Sequence, residues 1–145
     1  MRVEDLLNAK GREVETIKPD ASVVSALNRL TTLGIGALVV SSDGEHVEGM
    51  FSERDVVQAA NRHGGRMLEL RIADVMTRGC PSCAPGDGIR HVMSVMTRSR
   101  CRHIPVVLSD GKLCGLVSIG DVVKHRLEEL ELETTVLRDR YIASR

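Results

Sequence analysis

The chain carries the stretch GMFSERDVV at residues 49–57 and repeats its pattern as GLVSIGDVV at residues 115–123, 66 positions later. An apolar run and a Ser-Asp-Gly turn precede each copy, at residues 38–44 and 105–111. A repeat of this length is typical of a supersecondary unit that buries its apolar face against its own copy. The repeat therefore predicts two units related by a pseudo-two-fold axis, so that a site built by one has a counterpart in the other.

Apolar spacing around these stretches predicts an α/β fold of two β-α-β-β-α units that pack through their small sheets, with additional terminal helices. In the first unit we expect a helix at 3–9, a strand at 14–18, a helix through 23–30, a hairpin of 37–40 with 47–51, and a helix from Ser52 to about residue 61. In the second we expect a helix at 70–76, an opening strand at 80–84, a helix through 89–96, a hairpin of 104–108 with 113–117, and a last helix with Asp121 in its first turn.

The predicted boundaries place the first repeat, with its N-terminal helix and a linker at 63–66, in residues 1–66. The second repeat takes 67–125, and a charged C-terminal helix takes 126–145. This last helix has an apolar stripe at Leu127, Leu130, Leu137 and Tyr141. The stripe fits either a helix that lies on the repeats or a dimer contact.

Composition restricts the possible functions. With 145 residues the chain suits one compact domain, and its 20 basic and 20 acidic residues cancel, so no overall field attracts nucleic acid or an anionic membrane. One Phe, one Tyr and no Trp leave no platform for base stacking. No signal peptide or membrane-spanning run is evident, so we expect a cytoplasmic protein whose four cysteines are free thiols.

Each Gly-x-x-Ser-x-x-Asp block lies where a predicted strand meets a helix. Capping explains Ser and Asp at this spacing, because the pair forms a capping box. A ligand site explains more of the pattern: the Gly permits close approach, the helix N-terminus attracts phosphate, and the Asp can accept both hydroxyls of a ribose. The second occurrence of the block in the same apolar frame favours a ligand.

These blocks, together with IGALVV at 35–40, RHIPVV at 102–107 and DVMT at 74–77, resemble a tandem pair of cystathionine beta-synthase (CBS) domains, the Bateman module. The resemblance covers roughly residues 10 to 125. It implies a regulatory sensor that binds an adenosyl ligand, such as AMP, ADP, ATP, NAD or S-adenosylmethionine, between its two halves. It also implies a homodimer, and we expect the pair to act on a separate, unidentified protein or through its own termini.

The resemblance further implies two clefts. Asp55 and Asp121 would each hold a ribose, and Ser52 and Ser118 would contact ribose or phosphate. The Asp121 cleft would also contain Thr16, Ala21, Ile35 and Gly36, with Arg102 and His103 near the phosphate. The Asp55 cleft would contain Ser82 and borrow Arg102 and His103.

The two copies differ in the residue before the Asp. Arg54 precedes Asp55, whereas Gly120 precedes Asp121. An arginine suits phosphate, and it equally suits a solvated helix start. If Arg54 binds phosphate, we expect the Asp55 cleft to prefer the more highly phosphorylated ligand.

Two other classes of function compete with the sensor. One is a dimeric scaffold in which the Ser/Asp pairs only cap helices and the charged C-terminal helix binds a partner. The other is a redox or metal sensor that uses Cys80 and Cys83, although CxxC on a strand points its side chains to opposite faces. Catalysis is not expected, because neither Ser52 nor Ser118 has a histidine at a fixed neighbouring position.

Overall fold

The structure is a computed structural model, and it describes residues 1–144. The helices are α1 (Val3–Lys10), α2 (Val23–Leu33), α3 (Glu53–His63), α4 (Ile72–Val75), α5 (Ile89–Ser99) and α6 (Ile119–Ala143). The strands are β1 (Thr16–Ile17), β2 (Ala37–Val40), β3 (Gly49–Ser52), β4 (His103–Val107) and β5 (Leu113–Ser118). A 3₁₀ turn at Gly64–Glu69 extends beyond the linker predicted at 63–66.

The strands form two small sheets. In the first, β1 pairs parallel with β2, and β2 pairs antiparallel with β3; in the second, β4 and β5 form an antiparallel hairpin. Both predicted hairpins are confirmed. The mixed α/β class, with small sheets and flanking helices, is confirmed as well.

The opening strand predicted at 80–84 is wrong. In this segment only Cys83 pairs with a strand, as a parallel bridge to Val106. Its N–H donates to Pro105 O at 3.0 Å, and its carbonyl accepts from Val107 N at 2.8 Å. Pro81 and Pro85 flank this bridge and have no N–H to donate, so the pairing cannot extend into a ladder.

Alternation along the strands divides the interior into three clusters. On β2, Leu38 and Val40 pack with α2, whereas Ala37 and Val39 face the opposite side. There they belong to a cluster that also includes Leu113 and Leu116 of β5. The two units therefore pack through their sheets, as predicted.

The short opening helix of each repeat packs on the other repeat. Val3 and Leu7 of α1 belong to the core built on β4, β5 and α5, and Ile72 of α4 belongs to the core built on β1–β3. The predicted repeat boundaries at 66/67 and 125/126 remain a proposal. They divide the chain by sequence order, whereas each opening helix packs on the other repeat. Within residues 1–144, no helix is both long and apolar enough to cross a membrane.

Candidate functional site

Both Ser/Asp pairs cap a helix where a strand ends. At the start of α3, the Ser52 N–H donates to Asp55 Oδ2 at 2.8 Å. At the start of α6, the Ser118 N–H donates to Asp121 Oδ2 at 2.9 Å, and the Asp121 N–H donates back to Ser118 Oγ at 3.1 Å. The capping interpretation is thus correct for both copies, and a ligand role has to rest on what else surrounds each carboxylate.

The Asp55 carboxylate is enclosed by protein. Its residue is only 4% exposed. Oδ2 accepts hydrogen bonds from the Ser52 N–H and from Ser52 Oγ at 3.1 Å, and Oδ1 accepts one from the Thr77 hydroxyl. Ser52 and Thr77 already supply the donors that a ribose diol would bring.

The Asp121 carboxylate is more open. Its side chain is 23% exposed, and Oδ2 accepts an ion-paired hydrogen bond from Lys10 Nζ at 2.5 Å. Lys10 Nζ also donates to Leu116 O at 2.9 Å. Within residues 1–144, Oδ1 accepts no hydrogen bond. Partial burial raises the pKa of Asp121, but hydrogen bonds from Lys10 and Ser118 outweigh it, so that the net pKa is lowered and the group is ionised at neutral pH.

Residues of the first repeat reach the Asp121 cleft through Gly36. A Cβ built on Gly36 would lie 3.0 Å from Glu53 Oε1 and 3.2 Å from His103 Cε1, so His103 faces the first repeat across a close gap. Burial lowers the pKa of His103, with opposing contributions from Glu53 and Asp121, which raise it, and from Lys10 and Arg102, which lower it. The imidazole is therefore neutral at pH 7.

The glycines that open the two blocks admit protein rather than ligand. A Cβ at Gly49 would lie 2.6 Å from Thr77 O, and one at Gly115 would lie 2.7 Å from the methyl groups of Leu7. Close approach explains both glycines, but the approaching atoms belong to the protein and not to the ligand that the sequence pattern favours. What approaches is the segment that packs from the opposite repeat.

Among the described residues 1–144, the remaining predicted ligand residues make no hydrogen bond to these carboxylates, although the Arg102 carbonyl accepts the Ile119 N–H at 2.8 Å at the start of α6. Thr16 and Ala21 line a cleft of about 500 Å³ with Arg29 and the turn at 41–44, and that cleft contains none of the other ten predicted site residues. Ile35 packs against the first core, and Ser82 and Arg102 are exposed. Arg54 crosses to the second repeat, where its guanidinium donates to Arg100 O at 3.3 Å.

Sequence reasoning missed three residues, Lys10 and Thr77 at the carboxylates and Glu53 beside Gly36. Thr77 lies in the DVMT segment, which was noted only as a mark of the second repeat. Glu53 adjoins Ser52 and could have been noted as a charge at the helix start. Lys10 gave no signal, because 111 positions separate it from Asp121.

The cysteines do not form a metal knuckle. Cys83 belongs to the core of the second repeat, whereas Cys80 packs against the cluster between the sheets. Burial raises the pKa of each thiol to about 12, which keeps both protonated and poorly nucleophilic at neutral pH. Within residues 1–144, the one close group of three potential ligands is Asp43, Glu45 and His46, in the exposed β2–β3 turn.

The comparisons with known proteins agree with the architecture. The CBS domain family matches residues 3–62 and 72–128. The chain is 31% identical over 152 aligned residues to the mitochondrial CBS domain-containing protein CBSX3 of Arabidopsis thaliana, covering 96% of this chain and 73% of that protein.

Two solved structures are similar in fold. The CBS-domain containing protein ATU1752 from Agrobacterium tumefaciens is 42% identical with a TM-score of 0.82, over 87% of this chain and 99% of that one. CBSX2, solved in complex with AMP, is 23% identical with a TM-score of 0.73, over 88% of this chain and 96% of that one. The repeat, the two Ser/Asp blocks and these matches together show that the chain belongs to the CBS domain family and carries two tandem CBS domains.

Proposed function

We propose that this CBS pair binds an adenosyl nucleotide at Asp121 and acts as a regulatory module that does not turn its ligand over. The observation that carries the proposal is the open side of the Asp121 carboxylate, where Oδ1 accepts no hydrogen bond within residues 1–144. A ribose diol is a fitting donor for a carboxylate beside a helix N-terminus. AMP bound to CBSX2 supports an adenosyl ligand for this chain.

Lys10 provides the cation for the phosphate. Its ammonium is bound to Asp121 and to the Leu116 carbonyl and lies at a partly exposed edge of the cleft. When the ribose hydroxyls bind Asp121, the ammonium exchanges that carboxylate for phosphate, a charge-assisted contact of similar strength. Arg102 and neutral His103 complete this side of the cleft.

The other predicted residues remain part of the proposal. Gly36 and Ile35 shape the first-repeat wall, whereas Thr16 and Ala21 line a separate cleft and stay in the proposal only because the family resemblance implies them. The Asp55 cleft, with Ser52, Arg54 and Ser82, is a second and weaker site, because Asp55 is enclosed. AMP, ATP, NAD and S-adenosylmethionine are the candidate ligands, and no further cofactor is required.

Both elements at the Asp121 cleft connect to the rest of the molecule. Lys10 ends α1, which packs in the core of the second repeat, and Asp121 lies in the first turn of α6. Ligand binding that displaces Lys10 therefore biases the packing of α1 and α6, which is how a ligand shifts a population of states. We place this response in a cytoplasmic homodimer that regulates a separate protein.

Thermal unfolding with AMP, ATP, NAD and S-adenosylmethionine tests the proposal. A ligand at about 100 times its dissociation constant adds about 2.7 kcal/mol to the native state, which raises the melting temperature by several degrees. Asp121→Asn should abolish the shift. Asp110→Asn, a change at an exposed carboxylate in the turn of the same repeat, should leave it intact. No shift with any of the four in protein shown by mass spectrometry to be nucleotide-free would contradict the proposal.

A scaffold without ligand is the second candidate function. The observation that favours it is the exposed apolar surface on α6, which includes Leu127, Leu130 and Leu137. A cysteine-based sensor is disfavoured by the raised pKa of the Cys80 and Cys83 thiols.

A further inference from the structure

The C-terminal half of α6 makes little contact with the two repeats. The helix extends to Ala143, yet every residue from 130 to 144 is exposed. At 1.5 Å per residue this half is about 20 Å long. A single helix of that length is marginal in water, because most helical stability in proteins comes from packing an apolar face. We therefore expect this segment to pack against a partner.

A coiled-coil seam runs along α6 and continues into this C-terminal half. Val123, Leu127, Leu130, Thr134 and Leu137 are spaced by four, three, four and three residues, and the spacing continues to Tyr141. This alternation is the a/d pattern of a heptad repeat. The four aliphatic members are all exposed, and Leu137 is 64% exposed. A seam of this kind fits a second helix with the same period.

The charges beside the seam point to the identity of that helix. Glu131 and Glu133 lie on its two sides, followed by Arg138 and Arg140. None of the four has an opposite charge three or four positions away on its own helix, so intrahelical pairing cannot satisfy them.

A second copy of α6 satisfies these charges. When two α6 helices pack along the seam in antiparallel orientation, Arg138 can form an ion pair with the partner's Glu131. In parallel orientation, Arg138 can form one with the partner's Glu133. Opposite charges at the e and g positions select the partner of a coiled coil in this way. The segment is complementary to itself in either direction.

We propose that α6 pairs with α6 of a second copy of this chain along the seam of Val123, Leu127, Leu130, Thr134 and Leu137. This inference rests on the proposed function only in assigning a surface to its homodimer, and pairing through α6 requires no nucleotide. The first turn of α6 carries Asp121, and the seam follows from Val123 along the same helix. A nucleotide that moves the start of the helix thus acts on the same element that joins the two chains.

Sedimentation velocity of the full chain over a range of concentrations tests the proposal. The wild type should sediment as a dimer of two 15.9 kDa chains. Leu137→Glu places a charge in the seam and should weaken dimerisation by at least about 100-fold. Leu132→Glu is the matched control, because Leu132 is 66% exposed but lies outside the seam, and it should behave as wild type.

A charge reversal provides a second, independent variant. Arg138→Glu should weaken the dimer, and adding Glu131→Arg or Glu133→Arg in the same chain should restore it. A monomeric wild type at every concentration, or equal behaviour of the two leucine variants, would overturn the proposal. The AMP-induced thermal shift of Leu137→Glu separates the two hypotheses, because nucleotide binding should survive in the monomer.

Discussion

The Asp55 and Asp121 clefts have the same sequence block and the same capping geometry. They differ in the burial of the carboxylate and in the partner that it binds. Asp55 is buried and receives the Thr77 hydroxyl, a neutral donor from the segment after α4. Asp121 is partly exposed and receives Lys10, a cation from the end of α1. In both clefts this additional partner of the carboxylate belongs to the opposite repeat, in or just after its short opening helix.

The difference teaches that a repeated motif need not be a repeated site. A buried hydroxyl–carboxylate contact is a fixed structural bond, because breaking it leaves polar groups without partners. A partly exposed ammonium can exchange its carboxylate for another anion, because solvent weakens an exposed ion pair and lowers the free energy needed to separate it. We therefore expect the Asp55 block to contribute chiefly to stability, and the proposed nucleotide site lies chiefly at the Asp121 block.

The largest expected effect is a difference between Asp55→Ala and Asp121→Ala in the loss of unfolding free energy. Asp55→Ala leaves the Ser52 N–H and the Thr77 hydroxyl without their acceptor in a buried place, and should cost about 3 kcal/mol. Asp121→Ala removes a cap at a more exposed place and should cost about 1 kcal/mol. Urea unfolding of both variants measures the difference, and equal losses would refute the distinction.

The next effect compares the two block glycines. Gly49→Ala drives a Cβ against Thr77 O, a backbone atom held by reciprocal 2.9 Å hydrogen bonds with Met50, and should cost about 2 kcal/mol. Gly115→Ala meets only the side chain of Leu7, which can adjust its rotamer, and should cost about 1 kcal/mol. Thermal unfolding ranks the two, and the reverse order would show that α1 is held more rigidly than the segment at Thr77.

A third prediction concerns Lys10 and ligand choice. Lys10→Met removes the cation proposed for the phosphate and also frees Asp121 for the ribose. The affinity for ATP should fall by about 10-fold, whereas that for adenosine should hold or rise. Calorimetric titration of both ligands measures this ratio, with Lys112→Met as the control for net charge. An equal change for ATP and adenosine would remove Lys10 from the phosphate site.

The smallest effect is the pH dependence that His103 contributes. Burial lowers its pKa from 6.5 in the folded chain, so the unfolded chain takes up the proton first as the pH falls. Stability from the neutral imidazole is full above pH 6.5 and is lost as the pH falls through the folded-state pKa. Urea unfolding at pH 7.5 and 5.5 should show a smaller loss for His103→Gln than for wild type. The opposite contribution of His46, whose pKa is raised by Asp43, cancels in this comparison.

Local chemistry made much of the fold predictable. Ser22 caps α2 by accepting the Ser25 N–H, and Gly34 ends that helix with a positive φ of 63°. Both hairpins follow from short apolar runs on either side of a Ser-Asp-Gly turn. The strand expected at 80–84 does not form, because Pro81 and Pro85 on either side of Cys83 have no N–H to donate to a ladder.

Long-range packing explains what could not be predicted. The apolar face of α1 indicates a helix that must be buried, but not which of two similar cores receives it. The Lys10–Asp121 pair depends on that choice and joins residues 111 positions apart. For the same reason, nothing in the sequence distinguished a closed Asp55 cleft from an open Asp121 cleft.

Isothermal titration of AMP into wild type, Asp121→Asn and Asp55→Asn tests the central claim most directly. Asparagine keeps the size of aspartate and one acceptor oxygen, so each variant retains part of its cap. We predict one principal AMP site per chain, lost in Asp121→Asn and retained in Asp55→Asn. Two equal sites, or binding that survives Asp121→Asn and disappears in a folded Asp55→Asn, would contradict the account.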